Sequence, residues 1–101
     1  MSAIIAALIA ALGPVLIDAL TKWLESLFKK VTPSVQMSGD DATDAEALVD
    51  AAIAATPRIR VFKRALLSRV REHAGKLATG GKLSASEKKE LGVLVAKAKA
   101  E

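Results

Sequence analysis

The first seventeen residues of the chain are almost wholly apolar. Residues 3–17 form an uncharged run, Ala-Ile-Ile-Ala-Ala-Leu-Ile-Ala-Ala-Leu-Gly-Pro-Val-Leu-Ile. From Asp18 the pattern becomes amphipathic. Leu20, Trp23, Leu24, Leu27, Phe28 and Val31 recur at helical spacing, and Asp18, Thr21, Lys22, Glu25, Ser26, Lys29 and Lys30 occupy the other face. Gly13-Pro14 interrupts this stretch. Proline inside a helix loses a hydrogen bond and clashes with the carbonyl four residues back, at about 3 kcal/mol. At a first helical position it costs nothing comparable. The spacing therefore predicts a helix kinked near Gly13, or two helices over 3–12 and 14–31.

Turn chemistry over 32–41, Thr-Pro-Ser-Val-Gln-Met-Ser-Gly-Asp-Asp, predicts a linker. A helix over 41–55 follows, with Ala45, Leu48, Val49, Ala52 and Ile53 as its stripe. Asp40, Asp41, Asp44 and Glu46 crowd its first turns, where the helix dipole favours anions, and Thr43 with Glu46 fits a capping box. Their spacing is not that of a calcium-binding loop. Thr56-Pro57 reads as N-cap and first helical residue of a helix over 57–79. Its inward stripe is Ile59, Phe62, Leu66, Val70, His73 and Leu77, and Thr79-Gly80-Gly81 stops it. Ser84 and Glu87 fit a capping box for a last helix over 85–99, with Leu91, Leu94, Val95 and Ala98 inward. No alternating strand pattern occurs. The expected fold is all-α: a long kinked or broken hydrophobic N-terminal helix in residues 1–31, a linker over 32–41, and a small three-helix head over 42–101.

Composition adds a question of burial. The chain has 101 residues, 51% of them hydrophobic and 3% aromatic, with no cysteine. A domain this small buries only roughly 60–65% of its unfolded surface, so the apolar excess points to a partner subunit, another protein or a bilayer. The expected assembly or membrane interface is Ile4, Ile5, Leu8, Ile9, Leu12, Leu16, Ile17, Leu20, Trp23, Leu24, Leu27 and Phe28. Lys29-Lys30 beside Trp23 and Phe28 reads as a membrane-interface anchor. It reads equally as the lysine-rich end of a helix buried in an oligomer. The uncharged run is shorter than the roughly 20 residues a spanning helix needs. No positive region precedes it, so no cleavable signal peptide is expected.

Charge is segregated. The net +4 divides into +1 for residues 1–31, −5 for 32–56, +7 for 57–82 and +1 for 83–101. An acidic helix followed by a basic one implies pairing within one chain or between copies. Arg58, Arg60, Arg64, Arg69, Arg71 and Lys76 are the expected contacts to phosphate or to an acidic partner. Arg60, Arg64 and Arg71 span about 16 Å along a helix, the scale of several phosphates. The helix holds no Asn or Gln and no aromatic beyond Phe62, which argues against sequence-specific readout.

Signals for catalysis are sparse. His73 is the only histidine and falls on an apolar stripe, as a structural histidine does. Gly75-Lys-Leu-Ala-Thr-Gly80-Gly81-Lys82-Leu83 has the outline of a phosphate loop. However, Gly81 separates Gly80 from Lys82, Leu83 stands where a hydroxyl residue belongs, and no strand precedes it, so it reads as a helix stop. No enzyme activity, metal, cofactor or small-molecule substrate is expected.

Within residues 2–31, the run Ile-Ala-Ala-Leu-Gly-Pro-Val-Leu-Ile-Asp-Ala-Leu-Thr-Lys-Trp-Leu-Glu-Ser-Leu-Phe-Lys-Lys resembles small phage-encoded proteins: minor virion components, ejection proteins and holins. The resemblance covers less than a third of the chain and carries over no functional residue. It implies a virion or membrane-associated setting. The expected function is a helical structural protein acting as a homo- or hetero-multimer. The alternatives are a membrane-active protein inserting its N-terminal helix, and a non-specific nucleic-acid binder acting through the basic helix.

Overall fold

Gly13-Pro14 divides the N-terminal stretch into two helices. The computed structural model describes residues 3–101, apart from the side chains of residues 3–7, 14, 41, 42, 77 and 78. Helix α1 runs Ala3–Leu12, a 3-10 turn covers Gly13–Val15, and α2 runs Asp18–Val31. The turn closes with the Leu16 N–H donating to the Gly13 carbonyl at 3.2 Å. Asp18 then places a carboxylate in the first turn of α2, and Lys29 and Lys30 occupy its last, as the helix dipole favours.

The C-terminal end of α2 is capped by hydroxyls. Thr32 Oγ1 donates to the Phe28 carbonyl at 2.6 Å and Ser34 Oγ to the Val31 carbonyl at 2.8 Å. Helix α3, Asp41–Ala55, begins where expected, but the capping box at Thr43 and Glu46 does not form. Thr43 lies inside the first turn and its hydroxyl donates to Asp40 Oδ2 at 2.9 Å, while Glu46 turns toward Arg71 on the next helix. The organiser of this end is Asp44, only 3% exposed. Its carboxylate accepts from the Ser38 N–H (2.7 Å), the Ser38 hydroxyl (2.9 Å) and the Gly39 N–H (3.2 Å). The Ser38 N–H is the main reason its pKa lies below the ordinary range. Gly39 sits at φ 89°, which lets the linker fold back onto that carboxylate.

Helix α4 is Val61–Ala78, shorter at its start than the 57–79 expected. Thr56 does not cap it. Its hydroxyl donates backward, to the Ala52 carbonyl at 2.9 Å, so it finishes α3. Pro57 then opens a tight turn closed by the Ile59 N–H on the Thr56 carbonyl at 3.1 Å. Reversing the chain between two packed helices requires these non-helical residues. At its far end α4 stops at Thr79-Gly80, with Gly80 at φ 84° and the Gly81 N–H donating to the Lys76 carbonyl at 2.9 Å. Helix α5, Ala85–Ala100, starts with the Ser84–Glu87 capping box formed in both directions.

All five helices share one core. It includes Leu8, Leu12, Leu20, Leu24 and Phe28 from the N-terminal pair, Leu48 and Val49 from α3, Leu66, Leu67 and Val70 from α4, and Leu91 and Val95 from α5. Small side chains at Ala45, Ala52 and Ala74 allow close approach of α3 and α4. The observed stripe of α4 includes Leu67 and Ala74, which the sequence reading left out. Ile59 and Phe62 are only partly buried, and the Leu77 side chain lies outside the described residues.

Helices α1 and α2, expected as an N-terminal element ahead of a three-helix head, pack into the same core as α3, α4 and α5. The radius of gyration is 12.5 Å, close to the roughly 13 Å of a globular chain of this length, so α1 and α2 do not project from the rest. The apolar excess has a simple account as well. Twenty of the hydrophobic residues are alanine, and Ala10, Ala19, Ala54, Ala55, Ala96 and Ala100 lie exposed. Alanine carries little apolar surface, so the 51% overstates what must be covered.

Candidate functional site

Six of the seven basic residues of the 57–79 region divide into two groups along the chain. Arg69, Arg71 and Lys76 are matched to acids. Arg69 meets Glu72 at 2.7 Å and Glu90 on α5, and both raise its pKa further above the ordinary value. Arg71 reaches across to α3, with Nε 3.0 Å from Asp50 Oδ1 and Nη2 3.5 Å from Glu46 Oε2. Lys76 Nζ lies 2.6 Å from Glu87 Oε1. That bond, with the Ser84 N–H on the same carboxylate, draws the Glu87 pKa from 4.5 to about 2. The acidic and basic helices thus pair within one chain.

Arg58, Arg60 and Arg64 are different. All three are exposed and, among the described residues, none makes an ion pair. The turn at Pro57 presents Arg58 and Arg60. Arg64 belongs to the first turn of α4, where its N–H donates to the Arg60 carbonyl at 2.9 Å. No residue of that first turn is acidic, and the carboxylate that meets the helix end there is Glu101, on the Lys63 N–H.

Aromatic side chains adjoin this end. Lys63 Nζ sits 5.6 Å from the centroid of the Trp23 ring, and Lys97 Nζ sits 5.2 Å from that of Phe62. The Lys63 N–H donates to Glu101 Oε1 at 3.0 Å, which ties the end of α5 to the start of α4. Between α2 and the Pro57 turn lies an open pocket of about 400 Å³. Trp23, Pro57 and Ile59 form its apolar wall, and Thr56, Arg58, Arg60 and Lys63 complete the lining. The sequence reading had not joined Trp23 or Lys63 to the arginines. They lie on different helices, and no spacing rule connects residue 23 to residues 58–63.

The expected apolar interface occupies another place. Leu8, Ile9, Leu12, Leu16, Leu20, Leu24, Leu27 and Phe28 are buried in the chain's own core, each 9% exposed or less. Ile17 and Trp23 are partly buried against it. The side chains of Ile4 and Ile5 lie outside the described residues. Within the single chain these eight side chains therefore face the interior. Among the described residues no helix is long and apolar enough to cross a membrane. Helix α1, at ten residues, spans about 15 Å against a hydrocarbon core of about 30 Å.

His73 is buried on α4, with Nδ1 3.4 Å from Glu87 Oε2. Among the described residues no group of His, Cys, Asp and Glu could hold a metal ion. The Gly75–Leu83 segment forms the end of α4 and the turn into α5. Comparison of the chain with protein-family models, with curated proteins and with solved structures gives no match.

Proposed function

We propose that the chain is a small non-enzymatic helical module that binds nucleic acid, without sequence preference, through Arg58, Arg60, Lys63 and Arg64. One observation carries this reading: Arg69, Arg71 and Lys76 are neutralised by acids of the same chain, whereas Arg58, Arg60 and Arg64 are not. Guanidinium groups match phosphate oxygens in a fixed fork. Arg60 immediately precedes α4 and Arg64 lies in its first turn, joined by the Arg64 N–H on the Arg60 carbonyl, an arrangement that suits neighbouring phosphates. No Asn or Gln stands in the turn or in α4 to read base edges.

Eight of the twelve apolar residues named for assembly or a membrane are buried in the chain's own core, which leaves the unpaired arginines as the more prominent surface feature. A virion component in contact with packaged nucleic acid joins the present reading to the phage resemblance of residues 2–31.

The test is binding of fluorescently labelled single-stranded and duplex DNA, followed by anisotropy over a salt series. The expected result is binding at low salt that weakens steeply as salt rises. Replacing Arg58, Arg60 and Arg64 together by Gln lowers the slope of log affinity against log salt by about 2–3. An unchanged slope in that variant overturns the reading. Binding to anionic phospholipid vesicles with none to either DNA also overturns it, and puts the membrane reading first.

A further inference from the structure

We infer that the pocket beside Trp23 receives an unpaired base, so that the module favours single-stranded over duplex nucleic acid. This rests on the nucleic-acid reading and adds an occupant to it. The pocket, about 400 Å³, is on the scale of a small planar ligand. Its wall is apolar, from Trp23, Pro57 and Ile59, and its rim is cationic, from Arg58, Arg60 and Lys63. A nucleotide has the complementary shape: a flat apolar face joined to a phosphate. The Trp23 ring is held ready, since it packs against the core on α2. Lys63 covers the ring through a cation–π contact at 5.6 Å, an attraction weak enough to exchange. An incoming base takes the ring face, and the ammonium moves to the phosphate beside it.

The choice of a single strand follows from where bases are available. A duplex keeps its bases stacked and paired, and placing one flat on Trp23 requires flipping it out at a cost. A single strand presents splayed bases, and an aromatic face accepts any of them. The Thr56 hydroxyl already donates to the Ala52 carbonyl, so it adds no base selection as a donor.

Trp23 is the chain's only tryptophan, so its emission reports this pocket alone. The probes are a short oligothymidylate, an abasic strand of the same length and a hairpin duplex. Oligothymidylate is expected to quench Trp23 emission and to bind about tenfold more tightly than the abasic strand. In Trp23→Leu, read by anisotropy, that advantage disappears while salt-dependent binding remains; Trp23→Phe keeps most of it. Equal affinity for thymidylate and abasic strands, with both weakened by the triple arginine replacement, overturns the base pocket and leaves the phosphate reading standing. No binding to any strand overturns both. If Trp23→Leu loses its helical circular dichroism, the comparison of strands on the native protein decides.

Discussion

Arg71 on α4 points its guanidinium at Asp50 on α3, with Nε 3.0 Å from Oδ1. This contact joins the most acidic and most basic helices of the chain. It also withdraws from solvent charge a residue that the sequence places in line with Arg60 and Arg64. Both partners are about half exposed, so the pair contributes at most about 0.2–1 kcal/mol.

Replacing Arg71 by Gln is therefore expected to cost less than about 1 kcal/mol in urea unfolding. It is also expected to leave the salt slope of DNA binding unchanged. Replacing Arg60 by Gln does the reverse: stability holds, and the slope falls by about 1. Equal slopes in the two variants would show that ion pairing within the chain does not sort these cations.

The N-terminal helices are tested through Leu12, which is 1% exposed in α1. Leu12→Ala is expected to lower the global unfolding free energy by about 2–5 kcal/mol. A charged side chain at Leu8 or Leu16 is expected to abolish the cooperative transition. If residues 3–17 served only as an assembly surface, these changes would alter particle mass by light scattering and leave the unfolding midpoint in place.

Glu87 supplies a pH dependence of known sign. Its folded pKa, about 2, lies below the ordinary 4.5 because Lys76 and the Ser84 N–H hold it ionised. Between those values the unfolded chain binds more protons, so stability falls as pH falls. The contribution is complete above about 4.5 and gone near 2. Glu87→Gln is expected to be less stable than the native chain at neutral pH, with the difference closing as acid is added. Thermal melts of both proteins over that range check it. A difference that stays constant would mean the carboxylate's charge is not what holds the start of α5.

Two glycines are expected to respond in opposite directions to alanine. Gly80, at φ 84°, ends α4 in a left-handed conformation, and Gly80→Ala costs about 1–2 kcal/mol. Gly92 lies within α5, and a Cβ built there meets nothing within 4 Å. Gly92→Ala stabilises by about 0.5–1 kcal/mol. Midpoints that move the same way in both variants would contradict the backbone assignment at one of them.

Local chemistry made much of this protein legible from its residues. Gly13-Pro14 interrupts a helix by kinking or breaking it, Ser84 and Glu87 satisfy each other's backbone donors, and the apolar period of α3 needs no neighbour to be read. The start of α4 was misread because Thr56 has two uses for its hydroxyl, and only the packing of α3 on α4 decides between them. The missing members of the α4 stripe, Leu67 and Ala74, have the same origin, since a helix covered on two sides buries a wider face than a single spacing rule selects.

The sequence by itself determined that the chain is helical, where most helices end, and that its charge is divided between an acidic and a basic stretch. Tertiary structure decided which charges cancel. Arg71 meets Asp50 and Lys76 meets Glu87, while Arg58, Arg60 and Arg64 make no ion pair among the described residues, and Arg58 and Arg60 line a pocket with Trp23. It also decided that Leu8, Ile9, Leu12 and Leu16 of the apolar N-terminal run are buried in the chain's own interior. The reason is that hydrogen bonds of caps and turns act between near neighbours in sequence. Burial and ion pairing depend on distance in space, which exists only once the five helices share a core.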